Sequence, residues 1–163
     1  MGPMAKTAQE IFDTLKAKFG DKVIDLTDDA AVDAYIRVDA GVVGDLCAFL
    51  REDEAMAFES LACLSGVDYP DHLTVVYHLF STPHKHSIVI KTEVGREDPH
   101  VPTVEGVWKV ANWHERETYD MYGIVFDGHS DLVRILCPDD WEGWPLRKDY
   151  KVQEYYRGIK VEL

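Results

Sequence analysis

The chain has 163 residues, 46% apolar and 29% charged, which suits one soluble domain with a single core and leaves little room for a second. Its formal net charge of −13 argues against nonspecific nucleic-acid binding and against docking on anionic lipid through a broad basic face. No apolar run approaches the roughly 20 residues of a membrane-spanning helix, and no signal-peptide pattern opens the chain. Met1-Gly2-Pro3-Met4 reads as a remnant ahead of a native start at Met4. Cys47, Cys63 and Cys137 are far apart and form no C-x-x-C pair, so they are expected to be reduced core thiols that cage neither zinc nor an iron–sulfur cluster.

Thr7-Ala8-Gln9-Glu10 is a capping box, and Ala8, Ile11, Phe12, Leu15 and Phe19 then recur at helical spacing until Gly20. Val23–Leu26 and Ala34–Val38 read as short strands. Val42 to about Glu52 reads as a second amphipathic helix, with Val42, Val43, Leu46, Phe49 and Leu50 apolar. Three strands follow, at Phe58–Ser65, Leu73–Phe80 and His86–Val94. Their connections are too short for parallel crossovers, so they predict an antiparallel meander. Gly95–Pro102 reads as a polar loop. A helix is expected to start near Thr103 and to break at Asn112 before a further helix over Trp113–Tyr122, which Gly123 ends. Ile124–Phe126 and Leu132–Cys137 then suggest two extended pieces around Asp127-Gly128. The predicted class is α+β: a two-layer sandwich with a mixed, mostly antiparallel sheet, helices on one face, and an extended C-terminal arm.

The predicted domain covers residues 1–140 and the arm covers 141–163. The arm carries a net +1 where the preceding 140 residues carry −14, and it holds Trp141, Trp144, Tyr150, Tyr155 and Tyr156. Neither the helix nor the strand period fits it. It reads as a strap on its own domain or, preferably, as an arm laid on a partner with aromatic and Arg anchors. Such a concentration of aromatics on a free tail would invite aggregation.

Chemistry is harder to find. His72, His78, His84 and His86 could approach on a hairpin, but their spacing matches no zinc pattern and they are expected at the surface or sheet edges. A small stand-alone metalloenzyme on those histidines is the competing class of function. His129 could orient a loop by hydrogen bonding or carry a proton, and its place in a turn favours the orienting role. Glu115, Glu117 and Asp120 are interleaved with Arg116, which predicts a standing ion-pair cluster. No phosphate loop, G-x-S-x-G elbow or Rossmann fingerprint is present.

The stretch from Trp113 to Asp149 mixes aromatics with charges of both signs, as packed interaction surfaces do. Within it lie Glu115-Arg116-Glu117-Thr118-Tyr119-Asp120-Met121-Tyr122-Gly123-Ile124, Gly128-His129, Leu132, Arg134-Ile135-Leu136 and Pro145-Leu146-Arg147-Lys148-Asp149-Tyr150. This ordered set resembles the C subunit, or thirty-kilodalton subunit, of proton-pumping NADH:quinone oxidoreductase (respiratory complex I). Ser130, Val133 and Trp144 depart from that pattern, where Pro, a basic residue and His are usual. The resemblance implies a non-catalytic subunit of the peripheral arm, on the cytoplasmic side of the bacterial inner membrane. It implies contact chiefly with the D subunit, with the B and I subunits nearby, and it places NADH, FMN, iron–sulfur clusters and quinone on those other chains. Trp113, Glu115, Arg116, Glu117, Tyr119, Asp120, Tyr122, Gly123, Gly128, His129, Arg134, Trp141, Trp144 and 145–150 are its candidate signature or interface positions. The related subunit of a membrane-bound energy-converting [NiFe] hydrogenase or formate hydrogenlyase is the alternative within the same domain type.

Overall fold

The computed structural model describes residues 5–29 and 33–161; the tetrapeptide read as a remnant lies outside them. Helix α1 (Ala8–Phe19) starts at the expected capping box, with Thr7 and Glu10 each bonding the other's backbone amide. Its buried stripe is Ile11 and Leu15. Strands β1 (Val23–Thr27) and β2 (Tyr35–Val38) lead into α2 (Val43–Glu52), then β3 (Ser60–Asp68), β4 (His72–Ser81) and β5 (His86–Gly95). They form a five-stranded sheet in the order β1-β2-β5-β4-β3. The β3–β4–β5 meander and the β1–β2 pair are antiparallel, and only β2 and β5 run parallel within this sheet. That is the predicted mixed, mostly antiparallel α+β sandwich.

One face of the sheet carries the core. Along β4, Leu73, Val75, Tyr77 and Leu79 join α1 and α2 side chains in the buried cluster, as the period of two requires. Helix α3 (Ala111–Tyr122) packs beside β3. Gly66 makes this approach possible: a methyl group there would lie 2.6 Å from the Tyr122 ring.

Three expectations between residues 95 and 137 need correction. The supposed polar loop contains β6 (His100–Pro102), which pairs in parallel with β7 (Val125–Asp127), so β7 does not pair with residues 132–137. Residues 132–137 form no strand, because the amides of residues 135–137 are taken by a buried carboxylate. The chain from Thr103 to Val110 makes turns, not a helix. The Thr103 hydroxyl bonds Glu115 and accepts the Glu105 amide, which diverts the first turn from helical pairing. Val104, Trp108 and Ala111 still reach the core, and the Trp108 indole donates to the Phe58 carbonyl. Asn112, expected to interrupt, lies inside α3.

Candidate functional site

Helix α3 buries two carboxylates, Glu115 and Asp120, along with Ala111, Thr118 and Met121. Ionisable side chains on a buried stripe are expensive unless fully bonded. Asp120 meets that condition. Its Oδ2 accepts the amides of Ile135 (2.9 Å), Leu136 (2.6 Å) and Cys137 (2.9 Å), and its Oδ1 accepts Arg134 Nη1 (2.7 Å). Burial pushes this carboxyl up. The three amides and Arg134 more than offset that and hold it below its ordinary value. Asp120 therefore folds residues 134–137 around one side chain.

The end of α3 explains the next segment. The last carbonyls of a helix lack intrahelical donors. Here Tyr119 O accepts from Gly123 N, Asp120 O from Arg134, Met121 O from Leu146 N and Tyr122 O from Arg147 Nε. Gly123 sits in the left-handed region (φ +71°) as the C-terminal cap, and the Trp144 indole lies against its α-carbon. Trp144 meets Tyr119 edge-on at 5.3 Å, and the Arg134 guanidinium stacks over it at 4.5 Å. A third buried carboxylate, Asp68 at the end of β3, accepts the Lys148 amide (2.7 Å) and pairs with Arg96. Arg96 also pairs with Asp149 (3.1 Å). Burial raises the Asp68 carboxyl, but the Lys148 amide and Arg96 leave it below its usual range. Thus Trp144–Tyr150 lies strapped across the helix end. Trp141 donates to the Tyr150 hydroxyl, and its ring meets Tyr156. Beyond the strap, β8 (Tyr155–Tyr156) and β9 (Ile159–Lys160) form a small hairpin whose turn residues, Arg157 and Gly158, both have positive φ.

The structure brings Tyr119, Asp120, Tyr122, Gly123, Arg134 and residues 144–150 into one assembly. It does not form the expected ion-pair cluster around Arg116. That guanidinium lies over the Trp113 ring (4.8 Å) and donates to Val133 O (3.3 Å), while Asp120 turns inward to Arg134. Glu117 is outside the buried stripe of α3. Glu115 faces the other side, toward Thr103, Val104 and His129, with Gly128 just before that histidine. Asp68, Arg96, Thr103 and Glu105 were not legible as site residues, because each gains its role from a partner 12 or more residues away. Large apolar side chains are exposed here: Trp113, Leu136 and Leu146 are 60%, 63% and 52% exposed, and Val133 is exposed too.

His84 and His86 do approach each other, with ring centroids 5.4 Å apart, but the hydrogen bonds of these histidines lead to different partners. His72 bonds Asp71, His84 bonds Glu54 O, and His86 bonds Met56 O while accepting the Lys6 amide. His86 is buried against Phe58 rather than at the surface, so burial first of all lowers its pKa. Among the described residues no group of His, Cys, Asp and Glu is arranged to hold a metal ion. Of the cysteines expected in the core only Cys47 is fully buried; Cys63 is exposed on β3. A trough of about 950 Å³ lies on the sheet face opposite the helices, lined by Tyr35, Val76, His78, Val89 and Lys91. Among the described residues, no helix is long and apolar enough to cross a membrane.

These features define an α+β domain with a helix end, a strap bonded over it and exposed apolar side chains beside them. Residues 36–156 match the family described as "Respiratory-chain NADH dehydrogenase, 30 Kd subunit", and the chain belongs to that family. It is 52% identical over 149 residues to the C subunit of the NADH-quinone oxidoreductase of Chloroherpeton thalassium, covering 90% of this chain and 62% of that protein. It is 45% identical to the corresponding C subunit of Chlorobium phaeobacteroides, covering 99% of both. The chain thus spans less than two thirds of the first of these relatives and nearly all of the second. Among solved structures it is similar to a trypsin-resistant fragment (1-134) of Nqo5, with TM-score 0.62 and 28% identity over 77% of this chain and all of the fragment. The fold also recurs in a membrane-bound sulfane sulfur reductase, an archaeal respiratory membrane complex, with TM-score 0.73 and 23% identity over 90% of this chain and 86% of that one.

Proposed function

We propose that this chain is a peripheral-arm subunit of a proton-pumping NADH:quinone oxidoreductase and acts there as a brace. The observation that carries this reading is the α3–strap assembly. Two buried carboxylates and three helix-end carbonyls are committed to holding residues 134–150 in place, while Trp113, Val133, Leu136 and Leu146 stay outward. Rigid, exposed aromatic and aliphatic groups beside stacked arginines make a binding surface. Its occupant in this reading is a D-type subunit, with B- and I-type subunits nearby. NADH, FMN, iron–sulfur clusters and quinone then belong to those partners. The complex would hold the chain at the cytoplasmic side of the bacterial inner membrane. Within the arm, 144–150 serves as the fixed root. The segment beyond it, with Val152 and, in the hairpin, Tyr155 and Ile159 exposed, is the part laid on the partner.

Affinity purification of the tagged chain from its host tests this. The expected result is recovery of a D-type subunit with NADH-oxidising activity. Trp113→Ala combined with Leu136→Asp should lower that recovery at least tenfold, in line with loss of central hot-spot contacts, without changing the melting of the isolated chain. Recovery of a nickel–iron hydrogenase, or undiminished recovery with the variant, would overturn the reading.

A further inference from the structure

On the other side of α3 lies a group of ionisable side chains that the brace does not use. Glu115 is fully buried. Its Oε1 accepts the Val104 amide (2.7 Å) and its Oε2 the Thr103 hydroxyl (2.5 Å), so neither hydrogen-bond donor is a cation. Glu105 lies alongside, and both carboxylates approach the same imidazole nitrogen: His129 Nε2 is 3.6 Å from Glu105 Oε2 and 3.8 Å from Glu115 Oε2. The hydrogen bonds of His129 fix its state. Nδ1 accepts the Asp131 amide (3.0 Å), so the ring proton is on Nε2, which donates to Asn112 O (3.1 Å). An imidazolium could not accept the Asp131 amide. The ring is therefore neutral in this geometry and supplies no charge against two carboxylates.

The donors to the two acids are unequal. Glu105 receives the Ser130 amide (2.6 Å), the Ser130 hydroxyl (3.0 Å) and the Asn112 side-chain amide (2.7 Å), and on balance is held below its ordinary value. Glu115 has fewer donors and deeper burial. The other ionisable groups facing it are Cys47 from α2 and Tyr77 from β4, both neutral and fully buried. Nothing in the cluster cancels a second negative charge. We infer that Glu115, Glu105 and His129 form a one-proton binding site, with the proton on Glu115, and that its occupancy latches the loop from His129 to Asp131. With the proton bound, Glu115 can turn its O–H toward Thr103 Oγ1 and Glu105 keeps its grip on Ser130. When the proton leaves, two carboxylates that both lie within 4 Å of His129 Nε2 repel, and the Ser130 and Asp131 bonds are the ones exposed to that repulsion. The same loop runs on to Val133 and Leu136, so the site lies within a few residues of the proposed docking surface.

Burial pushes the Glu115 carboxyl up to about 7, against the Thr103 and Val104 hydrogen bonds that pull it down. The test uses the full isolated chain and does not depend on any partner. The Glu115 carboxyl carbon is followed by NMR from pH 5 to 9, assigned by its absence in Glu115→Gln, alongside hydrogen exchange of the Ser130 and Asp131 amides. The expected result is a Glu115 midpoint near 7, with amide protection, corrected for intrinsic exchange, falling several-fold through the same range. In Glu115→Gln that fall should vanish. A Glu115 midpoint below pH 5, or loop protection that does not follow its titration in the parent chain, would overturn the inference. If the variant fails to fold, the parent titration still decides.

Discussion

Asp120→Ala is expected to destabilise the isolated chain by about 3–5 kcal/mol, the range for removing one partner of a buried, bonded ion pair. For a chain of this length, that lowers the melting temperature by roughly 10 °C. Arg134 would lose its carboxylate, and the amides of residues 135, 136 and 137 would lose their common acceptor. The damage should extend to the Trp144 stack and the Gly143 carbonyl, which Arg134 also holds. Asp120→Asn separates charge from shape. Because the Asp120 carboxyl is held below its ordinary value, its stabilisation is complete above the unfolded-state value and fades as pH falls through the folded-state one. The difference between parent and Asp120→Asn in urea unfolding should therefore be largest near neutrality and shrink below about pH 4. A constant difference down to pH 2 would show that the charge contributes nothing.

Gly123→Ala should be nearly as damaging, through backbone and packing together. A left-handed conformation costs an alanine about 1–2 kcal/mol, and Gly123 has φ +71°. The added methyl would also overlap the Trp144 indole, which is confined between Tyr119 and Arg134. We expect a loss of about 2–4 kcal/mol, combining this conformational penalty with the range for overpacking. The strap should then lift, which the fluorescence of Trp144 reports. Combining Gly123→Ala with Trp144→Ala removes the overlap but not the backbone strain. The double variant should therefore be more stable than the sum of the single losses implies. Strict additivity would mean that the indole and the glycine do not meet.

These effects turn on contacts that are legible in the sequence only in part. The capping box at Thr7–Glu10, the β3–β5 meander and the glycine stop at Gly123 are legible because each is a local pattern: a cap, a period of two, a left-handed residue after a helix. The crowding of charge and aromatics over 113–149 also marks the right stretch of chain. The pairing inside it is not legible. Arg116 and Asp120 are four apart on a helix, and that spacing suggests an ion pair, but Asp120 faces inward where three amides and Arg134 outcompete a surface arginine. The turns at 103–110 have helix-like apolar spacing, yet Thr103 is committed to Glu115. Asp68 and Arg96 carry the strap across separations of 80 and 51 residues, beyond any local signal.

The central claim is that a strap rooted on its own domain presents a surface and a hairpin to a partner subunit. Hydrogen exchange, compared between the isolated chain and the purified assembly, tests it most directly. The amides of residues 135–137, 146 and 148 should be protected in both states, since their acceptors lie within this chain. Residues 151–161, whose short hairpin is held by few backbone bonds, should exchange much faster than the strap in isolation and gain protection in the assembly. Equal protection of residues 151–161 in the two states, whether high or low, would contradict the account.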